Sequence, residues 1–137
     1  MVRRVRMLIT IALLLSIVTG AAFAADSNGN YMVGGGAGSV SCGEFAETLE
    51  NAKAHGYGTI EYVTTMQGFT MYLLGFQSGY NKAAPNTYDI FSGIEEKELM
   101  SRLSKFCRAN PGTRFGVAVA VLAENNYSVR RRNYAPQ

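Results

Sequence analysis

Few residues in this chain combine the type and spacing that chemistry requires. The single histidine, His55, stands in Ala54-His55-Gly56-Tyr57, where a helix end is expected and where histidine commonly caps carbonyls or lies exposed. Cys42 and Cys107 are the only thiols, and neither has a second cysteine nearby. One histidine and two separated cysteines do not make a metal-ligand set, so no metal is expected. Ser39, Ser41, Ser78 and Ser92 fall in turns, caps or helix ends, outside any G-x-S-x-G nucleophile setting. The GGGAGS run at residues 34–39 has neither the Gly-Lys-Ser/Thr nor the preceding strand of a phosphate loop. Only carboxylates remain for acid-base work, so the expected function is non-enzymatic and uses no cofactor.

The address of the chain is written ahead of its fold. Arg3, Arg4 and Arg6 precede the apolar run Met7 to Val18, which ends in Ala22-Phe23-Ala24. This is the pattern of a secretory signal peptide over residues 1–24, cleaved at an A-x-A site, and it predicts a periplasmic protein. The apolar run falls short of the ~20 residues that cross a bilayer, so no membrane span is expected after cleavage. The formal charge of +3 rests on those three arginines, and without them acids and bases balance. The sequence pI of about 9.0 therefore gives no support for a nucleic-acid partner.

The chain beyond residue 24 is long enough for one domain. Residues 25–40 are rich in glycine with little to bury, the composition of a flexible leader. Residues 41–126 hold the helical periodicity, and residues 127–137 form a basic flexible tail. In that tail Tyr127, Arg130, Arg131, Arg132 and Tyr134 are either a solvated end or an arm that orders on a protein partner.

An even cysteine count in an oxidising compartment predicts a Cys42–Cys107 disulfide. Closing so long a loop contributes roughly 4 kcal/mol in the chain-entropy model. Ser41-Cys42-Gly43-Glu44 reads as a capping box opening a helix with Cys42, Phe45, Leu49 and Ala52 on one face and Gly56 as its stop. The longest helix is expected from about Thr59 to Tyr80, burying Val63, Met66, Phe69, Leu73, Phe76 and Tyr80. Gly68, Gly75 and Gly79 share a neighbouring stripe. Glycine in a helix interior costs about 0.5–1 kcal/mol relative to alanine, so close packing of another helix is the expected compensation. After a loop at Pro85-Asn86, a second capping box, Ser92 to Glu95, opens a helix through Ile94, Leu99, Leu103, Phe106 and Cys107. The segment 114–124 alternates valine and alanine and fits strand or helix. A lone strand would have no partner, so a fourth helix closing a small bundle is expected.

Ser-Cys-Gly-Glu-Phe at residues 41–45, Gly75-Phe-Gln-Ser-Gly79-Tyr80-Asn81 and Phe106-Cys107-Arg-Ala-Asn110-Pro111 occur in an order that resembles the small exported HdeA/HdeB acid-stress chaperones. The chain is also similar to the small periplasmic immunity proteins that block type VI secretion effectors. The resemblance covers roughly residues 41–126 and implies an all-α, four-helix, HdeA-like bundle with one disulfide between its first and third helices. It also implies other proteins as partners: unfolding clients held in a stress response, or a cognate toxin. In the chaperone relatives a homodimer loosens in acid and exposes apolar surface. A structural subunit of an envelope assembly is a further expectation, because seven tyrosines fall between Tyr57 and Tyr134 and tyrosine favours interfaces.

Overall fold

The computed structural model describes residues 30–134, so the signal peptide and residues 25–29 of the leader lie outside the described residues. Almost all of the described chain belongs to one compact unit that begins at Val33. It is helical, with α1 at Cys42–Ala54, α2 at Ile60–Ala83, α3 at Glu96–Ala109 and α4 at Phe115–Asn126. Among the described residues there is no strand, only two isolated antiparallel bridges, Ser41 with Arg114 and Asp89 with Arg131.

Local signals set the first two helices. Ser41 caps α1, its hydroxyl accepting from the Glu44 amide at 3.2 Å. Thr59 does the same for α2 through the Tyr62 amide at 3.2 Å. The expected α1 face, Cys42, Phe45, Leu49 and Ala52, is wholly buried. In α2 the buried set is Tyr62, Met66, Phe69 and Leu73, with Phe76 and Tyr80 packed at its edge. Val63 is a correction: it is exposed, because a steps-of-four-and-three seam that starts at Tyr62 turns the next residue about 100° away.

The second capping box is also corrected. Gly93 adopts φ 77°, a left-handed conformation that side chains resist, and this turn separates Ser92 from the helix. Helix α3 starts at Glu96, and its N-cap Glu95 makes no side-chain capping bond. The segment that fits either strand or helix is helical, as α4. Its strand-like lead-in pairs with the start of α1: Cys42 N–H donates to Thr113 O at 2.7 Å and Phe115 N–H to Val40 O at 2.8 Å.

Three rings from three helices make the centre. Phe45 lies 4.5 Å from Phe115 and 5.0 Å from Phe69, centroid to centroid, and Phe69 lies 4.9 Å from Phe115. Leu49, Met66, Leu73, Met100, Leu103 and Val119 fill the space around them. Cys42 and Cys107, 65 residues apart, stand at disulfide distance with Cα atoms 4.6 Å apart, joining the first turn of α1 to the last of α3.

Close packing on glycine does occur, at positions other than those expected. Gly75 and Gly79 face open space, and a Cβ on Gly68 would meet only Ala37, at 3.8 Å. A Cβ on Gly116 of α4 would come within 2.5 Å of the Tyr72 hydroxyl oxygen and 2.4 Å of Val33 Cγ1. A Cβ on Gly38 would sit 2.2 Å from the Tyr72 ring. The Tyr72 ring of α2 thus lies between two bare backbones. Gly38 belongs to a short 3-10 turn, Gly36–Ser39, so the glycine-rich stretch packs on the bundle before residue 41.

Candidate functional site

The residues singled out from the sequence do not converge. His55 is the exposed C-cap of α1, far along the helix from the cysteine pair. Ser41 caps α1, while the Ser39 and Ser78 hydroxyls donate to backbone carbonyls of their own turns, Gly36 O and Leu74 O, each at 2.8 Å. Among the described residues no group of three or more His, Cys, Asp or Glu could hold a metal ion.

The C-terminal stretch is folded back rather than trailing. Tyr127–Val129 form a 3-10 turn after α4. Arg131 exchanges backbone hydrogen bonds with Asp89 at 2.9 and 3.0 Å. Arg130 donates to the Thr87 hydroxyl at 2.9 Å and to Tyr127 O at 2.6 Å, and its guanidinium lies 3.6 Å over the Tyr127 ring. Tyr134 packs tilted against Tyr88, ring centroids 5.5 Å apart, with Arg131 5.0 Å over the Tyr88 ring. The stretch expected to be a loose arm therefore braces the loop between α2 and α3, leaving Arg132 exposed. That loop is held from the other side by Asn81, whose side-chain oxygen accepts from the Ile90 amide at 2.8 Å, and by Asn126, whose amide donates to Ile90 O.

The outward surface of α2 has a different character. Ile60 is 81% exposed and Met71 62%, with Val63 and Leu74 also exposed alongside them. From Tyr62 through Asn81 no residue is charged, and Glu61 and Lys82 stand at the two ends. Along about 30 Å of helix the solvent side carries only apolar groups, glycines, hydroxyls and amides. A cleft of 270 Å³ runs into this face between Val63, Met71 and Glu96, floored by Tyr62 and Met66. Thr70 closes its far wall by donating to Glu96 Oε1 at 3.0 Å. Burial raises the pKa of the Tyr62 hydroxyl above its ordinary value.

Two further depressions flank α3. Between α3 and α4, Leu103, Phe106, Ala118 and Leu122 line a groove of 380 Å³ whose rim carries Arg102 and Lys105. Between α1 and α3, Lys53, Lys105 and Arg108 surround a recess with Ser101 and Ser104. Periodicity alone does not single out Met71 and Leu74; the uncharged run between Glu61 and Lys82 is the signal that finds them, and Ile60 lies just ahead of that run. Comparison with protein-family models, curated proteins and solved structures finds no match to this chain.

Proposed function

We propose that this chain is a non-enzymatic, exported, HdeA-like binding domain that uses the outer face of α2 to hold other polypeptides in the periplasm, as an acid-stress chaperone holds unfolding clients. The observation that carries the reading is the exposed, uncharged α2 face, with Ile60, Val63, Met71 and Leu74 presented to solvent over one continuous helix. A contiguous apolar surface of this kind on a small domain marks a place where another polypeptide docks. Its methionine is suited to varied partners, because an unbranched thioether adapts its shape to what it meets. An unfolded client offers apolar segments without a fixed surface, which such a face can accept without charge matching.

Acid adds further apolar surface to this face by loosening the rest of the bundle. The ten carboxylates of the chain lose charge while its cations keep theirs, so the domain becomes strongly positive and repels itself. The disulfide keeps α1 and α3 together under those conditions, since it does not titrate.

The test is light scattering from an unfolding client, with and without the protein, at neutral pH and at about pH 2–3. The reading expects aggregation to be suppressed in acid, and the suppression to be lost in Met71→Lys, whose charge persists at that pH, with the helical spectrum intact. Equal suppression by parent and variant would overturn it. A single stoichiometric partner bound tightly at neutral pH, with no effect on clients, would instead favour the immunity role.

A further inference from the structure

The recess between the last turn of α1 and the C-terminal half of α3 is built unlike the apolar faces around it. Its six lining residues are Lys53, Ser101, Ser104, Lys105, Arg108 and Ala109, and its volume is 480 Å³. Five of the six are cations or hydroxyl donors, and there is no carboxylate in the lining. Lys53 Nζ lies 3.0 Å from Glu50 Oε1, and Arg108 pairs with the same oxygen. One carboxylate from outside the lining is thus shared between two of three cations, which leaves the recess two positive charges in excess. Lys105 has no acidic partner among the described residues.

A second, independent observation points the same way. Ser104 is 4% exposed, and its hydroxyl is buried without a hydrogen-bond partner. Buried hydroxyls are almost always paired, because an unpaired one gives up its bonds to water for nothing. Here the orphan belongs to a residue that lines a cationic recess.

We propose that this recess binds a phosphate-class oxyanion. A phosphate dianion matches the excess of two charges, and its tetrahedral oxygens can accept at once from donors on two helices, the α1 ammonium and the α3 hydroxyls and cations. A planar carboxylate offers acceptors in one plane only. The anion is either free inorganic phosphate or the phosphate of a lipid headgroup, since the exposed rim admits both. This assignment stands apart from the α2 reading, and neither depends on the other.

The experiment is an amide-shift titration of the 15N-labelled protein with sodium phosphate, ionic strength being held constant with sodium chloride. Expected are saturable shifts confined to the amides around Lys53, Ser101, Ser104, Lys105 and Arg108. Ser104→Ala should weaken binding about tenfold and Lys105→Gln about fivefold, the range for a hydrogen bond to a charged group and for an exposed charge pair. Lys97→Gln, on α3 outside the recess, should bind as the parent does. Shifts that rise without saturation, that chloride reproduces, or that survive Ser104→Ala unchanged would overturn the assignment. Vesicles of phosphatidylcholine with and without phosphatidic acid separate the sources. Binding only with phosphatidic acid, displaced by phosphate, identifies a headgroup, whereas phosphate binding without vesicle binding identifies the free ion.

Discussion

Helices α2 and α3 pack on the same core, yet their outer faces are opposites. Lys97, Glu98, Ser101, Arg102, Lys105 and Arg108 all point outward from α3. Glu98 and Arg102 pair along that helix at 2.8 Å, and Arg108 reaches across to Glu50 of α1. The outward side of α2 carries Ile60, Val63, Met71 and Leu74 and no charge between Glu61 and Lys82. Folding needs only one apolar face per helix. The inner faces of both helices are explained by the core; the outer face of α2 is not, and the proposed binding of polypeptides explains that surplus.

The two helices also differ in how they are held. Helix α3 is tied to α1 by the Cys42–Cys107 pair, whereas α2 contains no cysteine and is joined to its neighbours through the backbone alone. The largest expected effect comes from erasing that distinction. The double variant Cys42→Ala, Cys107→Ala should lose about 4 kcal/mol of unfolding free energy in a urea titration, from a loop of 65 residues no longer closed. A loss below about 1 kcal/mol would mean that the α1–α3 seam stands on packing alone, as α2 does.

Next in size is a pair of glycine changes with opposite signs. Gly116→Ala places a methyl group where Val33 and the Tyr72 hydroxyl already lie, both within 2.5 Å, and should destabilise by about 1–3 kcal/mol. Gly75→Ala fills open space on the outer side of α2 and should stabilise by about 0.5–1 kcal/mol. Urea midpoints of the two variants decide the matter. Destabilisation by Gly75→Ala as well would mean that the outer face of α2 is already covered, by a second copy of the chain for instance.

The smallest effect is a pH dependence confined to the α1–α3 side. The hydrogen bond from Lys53 and the charges of Lys53 and Arg108 hold the Glu50 carboxyl below its ordinary value of 4.5. A carboxyl lowered in the folded state contributes stability above its unfolded value, and that contribution is lost as pH falls through the folded value. Stability measured by urea titration should therefore fall more gently below pH 4.5 in Glu50→Gln than in the parent. Superimposable pH profiles would show that the bridge from α1 to α3 adds nothing.

The parts of this fold that are legible in the sequence are the local ones. Ser41 caps a helix because its hydroxyl needs only an amide three residues on, and Cys42, Phe45, Leu49 and Ala52 share a face by geometry alone. Two cysteines admit one pairing. The helical reading of Phe115–Asn126 rests on the absence of a strand partner rather than on periodicity. Spacing reports which residues share a stripe and says nothing of what covers it. For that reason Gly68, Gly75 and Gly79 look like helix contacts in the sequence, yet Gly75 and Gly79 face open space and Gly68 adjoins only Ala37, while Gly38 and Gly116, which meet Tyr72, share no stripe and give no signal. Val63 and Tyr62 are adjacent and similarly apolar, so periodicity places the first residue of the seam one position off and the rest correctly. The return of Arg131 to Asp89 joins segments distant in sequence, and no local pattern encodes it.

The most direct test of polypeptide binding by α2 places a photo-crosslinking residue on each outer face in turn, at Met71 of α2 and at Arg102 of α3, and irradiates the protein with an unfolding client in acid. Client adducts are predicted from position 71, with few or none from position 102. Adducts equally abundant at both positions, or confined to α3, would contradict the claim that the uncharged face of α2 is where this protein meets its partners.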